Sequence, residues 1–461
     1  MITFTGKYTA AKIMIGEVEE TCAAQITELV NHPAFTEPVA IMPDTHAGAG
    51  SVIGFTMPLG SKVVPNTIGV DIGCGMLSFP LDDGVMDTTK REQLDEAVRE
   101  AIPFGFNVNE KDIYNMEKAF PWSSVSRENQ IFCLAFNGMF GTKMKPTAYN
   151  YEWFEKKCEQ IHADLGRSTA SIGSLGGGNH FIEIGKSAST GKFWLTIHTG
   201  SRQFGLQICK YWQNTPTAKK KHESLTKFNE GIKHIKAMYI GKSDRQKIPG
   251  AINRLRSELG INNKVARGLD YIEGEDMQGY LADMIFAQAY AAENRQCIAN
   301  KIADILGTTR ILGSKIPVNY SYIETVHNYI DFKDFVIRKG AISAHKDEIM
   351  VIPFNMEDGI LICKGRGNEE WNNSAPHGAG RIRSRAQAKI EFSSSIAEKR
   401  MKAKGIFTSA VPVDEVKEAY KDPKIIEEAI KPTVEIMDRI IPVMNLKDND
   451  STMDRKKRRK K

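Results

Sequence analysis

Four of the ten histidines stand where strand-like runs give way to turns: His180 after Asn179, His198 in IHTGSR, His327 in ETVHNY and His377 in APHGAGR. His46, in MPDTHAGAG, is a fifth of the same kind. A neutral imidazole is the commonest metal ligand, and a histidine at a strand end is aimed by whatever its second ring nitrogen bonds. Asp71 and Cys74, in VDIGCG, stand three apart across a turn. Gly73 and Gly75 tolerate backbone angles other residues avoid, so a carboxylate and a thiolate can converge there. Taken singly, each feature is more often a turn residue with its hydrogen bonds met. Taken together they offer the oxygen, nitrogen and sulfur donors of a divalent-metal centre.

A second group of residues suits phosphate. GSLGGGNH fits neither the dinucleotide fingerprint nor the P-loop, yet consecutive glycines expose amides that can cradle an anion. Arg202, in HTGSR, precedes a helical run, where amides and dipole attract negative charge. HGAGRIRSR carries Arg381, Arg383 and Arg385, and helical spacing puts Arg381 and Arg385 on one face. The alternative is an ordinary solvated basic face.

These residues need a scaffold, and the chain is long enough for one. It has 461 residues, 41% of them hydrophobic, enough for a large core. The first 80 residues read as short strands broken by turns, 88–102 as a helix capped by threonines, and 151–167 as a helical segment. Residues 192–212 read as strand, turn and helix, and 213–268 as a peripheral Lys-rich helical insertion. Residues 273–306 form the longest helix, with Leu281, Ile285, Ala289 and Ala292 facing the core. Short strands follow around 321–327, 334–345, 349–354 and 359–364, then one helix within 374–405, then helix into strand over 425–444. Residues 103–150 show no clear organisation. Short strands mixed with helices, without regular alternation, imply an α+β fold.

Composition narrows the class. No stretch approaches the roughly 20 apolar residues of a membrane span, and acids sit where a signal peptide would be apolar; the expectation is a cytoplasmic protein. The net charge of +6 resides in the tail: without Arg455 to Lys461 the chain has 55 basic and 56 acidic residues. Residues 448–461 read as a charged, disordered tail that adds non-specific phosphate attraction or serves as a nuclear address. Seven widely spaced cysteines without a CxxC pair exclude a disulfide framework and a zinc-finger array.

In their order along the chain, VDIGCGM, GGGNHFIEI, HTGSR, YLADM-x8-ENRQ, VHN, RKGA and SAPHGAGRIRSR resemble the RtcB-type RNA ligases. The resemblance spans Asp44 to Lys447 and implies one catalytic domain over 1–447 with short mixed and antiparallel sheets around a central metal cleft. It implies two manganese ions bridged by Cys74, one also held by Asp71 and His180, the other by His198 and His327. It makes His377 the nucleophile that takes GMP from GTP. Asn179, Gly378, Gly380, Arg381, Tyr420 and Lys447 become GTP contacts and Glu183 the acid that reads guanine. Arg202, Arg381 and Arg385 then line the phosphate path of an RNA with a 3′-phosphate or 2′,3′-cyclic phosphate end, joined to a 5′-hydroxyl end in transfer-RNA splicing or RNA repair. The chain departs from the family pattern at IPFNMEDG (352–359), where relatives carry a loop that helps seat the base. Other readings of the same residues are a two-metal phosphodiesterase or nucleotidyltransferase, and a non-catalytic RNA-binding relative.

Overall fold

The computed structural model describes residues 1–239, 248–259, 268–308 and 322–448. The basic tail beyond 448 and stretches 240–247 and 260–267 of the expected insertion lie outside the described residues. Two antiparallel-dominated sheets carry the fold, which is α+β. A seven-stranded sheet runs in the order Ile323–Val326, Gly75–Pro80, Phe193–Thr199, Phe181–Ser187, Val434–Leu446, Ile360–Gly365, Ile349–Pro353. A six-stranded sheet runs Ile2–Thr5, Ala10–Ile13, Val39–His46, Ile53–Pro58, Val336–Lys339, Asn328–Ile330. Among these pairings only Ala10–Ile13 with Val39–His46 is parallel.

The helix Gly274–Leu306 is the central support. Leu281 and Ile285 are buried as expected, but Ala289 and Ala292 are only half-buried, and Met277, Tyr280, Met284, Phe286, Ala287 and Tyr290 are buried as well. The helix is enclosed on most sides rather than along one stripe, which is why its apolar residues show weak periodicity. Phe120, Tyr149, Phe154 and Phe204 pack around Phe286. Each such side chain contributes about 1.5–3 kcal/mol of burial. Further along, Ile298 and Ile302 join Leu94, Val98 and Leu195 in a second core.

Several local expectations are corrected. The helix near 88–102 is Arg91–Ala101, and no threonine caps it: its N-cap is Lys90 without a side-chain bond, while the Thr89 hydroxyl donates to the Val85 carbonyl. The segment 151–167 is two helices, Tyr151–Gln160 and Leu165–Ala170, separated at His162, whose φ is +55°. Residues 374–405 also hold two, Arg385–Glu391 and Ser394–Ala403. Residues 103–150 contain the 19-residue helix Trp122–Phe140. The described part of 213–268 is helical, in Arg202–Tyr239 and Ile248–Glu258.

Candidate metal centre and nucleotide cavity

The two sheets meet at His327. The strand before it is an edge of the seven-stranded sheet, and the strand after it an edge of the six-stranded one. Its amide donates to the Cys74 carbonyl (3.0 Å), which fixes it over the VDIGCG turn. That turn lies directly on the long helix: a Cβ on Gly73 (φ +73°) would stand 2.8 Å from Gln288 Cα. Only glycine permits both the left-handed angle and this approach. Arg295, 1% exposed, donates to the Gly73 carbonyl (2.8 Å) and the Thr199 carbonyl (3.0 Å), joining the Cys74 turn to the His198 strand. Asn294 accepts from the Gly173 amide (2.8 Å) and donates to the Gly200 carbonyl (3.1 Å), holding the glycine loop that bears His180. The ENRQ motif thus braces the site without entering it.

Cys74 Sγ stands 3.5 Å from His180 Nε2 and 3.3 Å from His198 Nε2. His198 Nε2 lies 3.3 Å from His327 Nε2, and His180 Nε2 lies 3.1 Å from Asp71 Oδ2. The outer nitrogens are committed elsewhere: His180 Nδ1 to the Leu175 carbonyl (2.9 Å) and His198 Nδ1 to the Asn179 carbonyl (3.0 Å). Those bonds place the protons on Nδ1 and turn both Nε2 lone pairs inward. Burial, reinforced by neighbouring positive groups, drives the His198 and His327 pKa values well below the usual range, so both imidazoles are neutral. Burial, with Asp71 adding to it, raises the Cys74 thiol well above its usual value. A cation at the point of convergence reverses that preference, because a coordinating thiol is deprotonated outright. Asp71 stays ionised: burial works against it, but His180 and Arg202 bring its pKa below the usual value. Two donor sets, Asp71–Cys74–His180 and Cys74–His198–His327, share the thiol, and within each the ligand atoms lie within 4.8 Å of one another. The converging carboxylate, imidazole and sulfur donors, with the thiol ionised by the cation it binds, fit a pair of divalent cations.

His377 borders this centre, its ring centroid 4.9 Å from that of His327. Its Nδ1 donates to Asp44 Oδ2 at 2.6 Å, and Asp44 is fully buried. This leaves Nε2 as the nitrogen with a free lone pair. The contact requires Gly380 (φ +72°), where a Cβ would stand 2.1 Å from the Asp44 carbonyl oxygen. Lys421 donates to the Pro43 and Thr45 carbonyls (2.9 and 2.7 Å) and holds Asp44 from the other side. His46 also lines the cavity, its Nδ1 bonded to the Asp44 carbonyl (2.9 Å) and its pKa lowered by burial to about 4.

The cavity beside His377 has a volume of about 1070 Å³. Asn179, Glu183, Gly378, Gly380, Arg381, Arg385, Tyr420 and Lys447 all line it. Residues 353–356 of the divergent IPFNMEDG loop form part of its wall. Arg381 and Arg385 do not share a helical face, because the helix begins at Arg385 with Ser384 as its cap. They converge through an acid that sequence reasoning missed. Glu415, 2% exposed, takes Lys447 Nζ (2.7 Å), Tyr420 Oη (2.8 Å), Arg385 Nη1 (2.8 Å) and Arg381 Nη1 (3.4 Å). Burial alone would raise its pKa, but Lys447, Arg385 and Arg381 bring it down to about 2. Asp414 adds a bond to Arg385 (2.7 Å). Asp44 stands in the strand Val39–His46 and Glu415 in the short helical turn Val413–Glu415, and the partners of both are distant in sequence, so the available signal was weak.

Glu183 lies across the sheet from Asn445, whose Nδ2 donates to Glu183 Oε2 (2.7 Å). Burial pushes the Glu183 carboxyl up to about 8, against the pull of Asn445 and Lys447. Lys339, from RKGA, also lines the cavity, its ammonium held by the Ala49 carbonyl (2.6 Å) and by Ser51. Arg202 is not among the residues that line the cavity, though its charge reaches Asp71. It opens the helix Arg202–Tyr239, but its guanidinium turns to the Gly105 carbonyl (2.8 Å) and Ser174 Oγ (3.2 Å), behind the glycine loop.

Known proteins resemble this chain over most of its length. An RNA-splicing ligase RtcB of Escherichia coli K12 is 28% identical over 436 residues, covering 91% of this chain and 92% of its own. A tRNA-splicing ligase RtcB of Archaeoglobus fulgidus is 25% identical over 90% of this chain and 88% of its own. An RNA-splicing ligase RtcB homolog 1 of Entamoeba histolytica is 23% identical over 88% of this chain and 79% of its own. The family model described as tRNA-splicing ligase RtcB matches residues 25–448, and the chain belongs to the RtcB family.

Proposed function

We propose that the protein is a GTP- and manganese-dependent RNA ligase joining 3′-phosphate or 2′,3′-cyclic phosphate ends to 5′-hydroxyl ends. One observation carries the reading: an imidazole held by a buried carboxylate on Nδ1, with Nε2 free, stands beside two donor sets that share the Cys74 sulfur. His377 Nε2 attacks the α-phosphorus of GTP, the bond to the β-phosphate oxygen breaks, and pyrophosphate leaves. The histidine–GMP bond divides one difficult displacement into two easier ones. The RNA 3′-phosphate takes the GMP and frees His377; the 5′-hydroxyl then attacks that phosphate, forming the phosphodiester and releasing GMP. A cyclic end is first opened by water.

Asp71, Cys74 and His180 would hold one manganese ion, and Cys74, His198 and His327 the other. When bound, the metals supply Lewis-acid polarisation of phosphate oxygens. Asp44 keeps the His377 proton on Nδ1. Asn179, Lys447, Tyr420, Arg381 and Arg385 would orient the nucleotide and RNA phosphates. In this reading residues 1–447 act as one catalytic domain, with 213–268 an insertion, in the cytoplasm.

The test is incubation with GTP labelled at the α-phosphate and manganese. The expected result is acid-labile, base-stable label on the protein, lost in His377→Ala while bound metal is unchanged. Labelling that survives in His377→Ala refutes the assignment. A two-metal phosphodiesterase would cleave RNA ends without forming that adduct.

A further inference from the structure

The cavity wall contains two buried oxygen acceptors that the protein itself does not satisfy. Glu183 Oε1 and Asn445 Oδ1 are both inaccessible to solvent and have no hydrogen-bond partner. The two residues are direct cross-strand neighbours, each 2% exposed, and both line the cavity. Asn445 Nδ2 donates to Glu183 Oε2 (2.7 Å), which fixes the amide orientation and spends one carboxylate oxygen.

No nearby donor bonds either oxygen. Thr196, facing Glu183 from the opposite strand, has its hydroxyl engaged with Ser78 Oγ. Lys447 is bonded to Glu415 (2.7 Å) and to the Asn179 carbonyl (3.4 Å). Buried polar atoms are rarely left unpaired in native proteins, and those that remain commonly await a ligand, water or ion. Two neighbouring oxygens suit a ligand with two neighbouring donors.

We infer that Asn445 is a second reader of the nucleobase, its Oδ1 accepting from the 2-amino group of guanine while Glu183 Oε1 accepts from N1–H. This rests on the GTP reading above and divides a task that a carboxylate could otherwise perform alone. Guanine presents N1–H and the 2-amino group side by side. Hypoxanthine keeps N1–H and lacks the amine. 2-Aminopurine keeps the amine and lacks N1–H, and adenine offers neither donor on that edge. Asn445 is therefore a specificity-determining residue, with no part in the phosphate chemistry.

The experiment measures histidine–nucleotide formation at limiting concentrations of GTP, ITP, 2-aminopurine riboside triphosphate and ATP, in the full-length wild type and in Asn445→Ala. In the wild type, ITP and the 2-aminopurine nucleotide should each label roughly tenfold less efficiently than GTP, one lost buried hydrogen bond apiece, with ATP below both. Asn445→Ala should collapse the GTP-to-ITP ratio to near unity and leave the GTP-to-2-aminopurine ratio in place. General weakening of the fold would lower all four nucleotides together and leave the ratios unmoved. Equal wild-type labelling by GTP and ITP overturns the inference, and needs no variant to be seen. An unchanged GTP-to-ITP ratio in Asn445→Ala overturns it as well. Absence of any wild-type label with GTP overturns the parent reading instead, so the two failures are distinct.

Discussion

Replacing Glu415 by glutamine removes one negative charge from the meeting point of Lys447, Arg385, Arg381 and Tyr420. The cost follows from its pKa, held at about 2 against an ordinary 4.5. A depression of that size corresponds to about 3 kcal/mol of interaction favouring the ionised acid. Because the folded-state pKa lies below the unfolded one, the stability is present in full above about pH 4.5 and is lost as pH falls toward 2. Linkage puts the remainder at roughly 2 kcal/mol at pH 3.5. Denaturant unfolding of wild type and Glu415→Gln at a series of pH values should show a gap of about 3 kcal/mol at pH 7 that narrows by about a third or more at pH 3.5. Freed from Glu415, Lys447 and Tyr420 should also lose their place, so GTP labelling should weaken in parallel. A gap that stays constant from pH 7 to 3.5, or one below about 0.5 kcal/mol, refutes the charge-based account.

Cys74→Ala should reduce bound manganese, since one thiolate serves both donor sets, and metal analysis showing unchanged stoichiometry would remove the bridging role; Cys74→Ser should retain part of the metal, because oxygen suits manganese. Asp44→Asn should slow histidine–GMP formation by at least about 100-fold without altering metal content, because it disturbs the tautomer that leaves Nε2 free; an unaffected single-turnover rate would deny Asp44 that role. Glu183→Gln should stabilise the free protein with a pH dependence opposite in sign to that of Glu415. The Glu183 pKa is raised to about 8, so the wild type is at full strength below about pH 4.5 and weakens as pH climbs. The gain from glutamine should thus be near zero at acid pH and reach about 4 kcal/mol by pH 8, and melting curves showing a pH-independent gain would contradict it.

The sequence by itself determined the family pattern, the residue types of the candidate metal donors and of His377, and the longer elements. Gly274–Leu306 and the strands around His180, His198 and His327 are legible because helix-forming composition, short apolar runs and turn residues act over a few positions. The α+β class follows from the same local signals. Only the tertiary structure decided which of these residues meet. Cys74 and His198 are 124 residues apart, and Asp44 and His377 are 333 apart. Such distances are closed by strand register, as where His198 is set opposite both Met76 and Phe181. Asp44, Glu415 and Asn445 carry no local signature, since an acid or amide in a short turn or strand looks alike whether solvated or buried against a partner. Arg202 shows how direction is decided by the fold: a φ of +56° and bonds to Gly105 and Ser174 set where its guanidinium lies. Side-chain direction depends on the backbone angle and on the partners that long-range packing brings into reach, and neither is written in neighbouring residues.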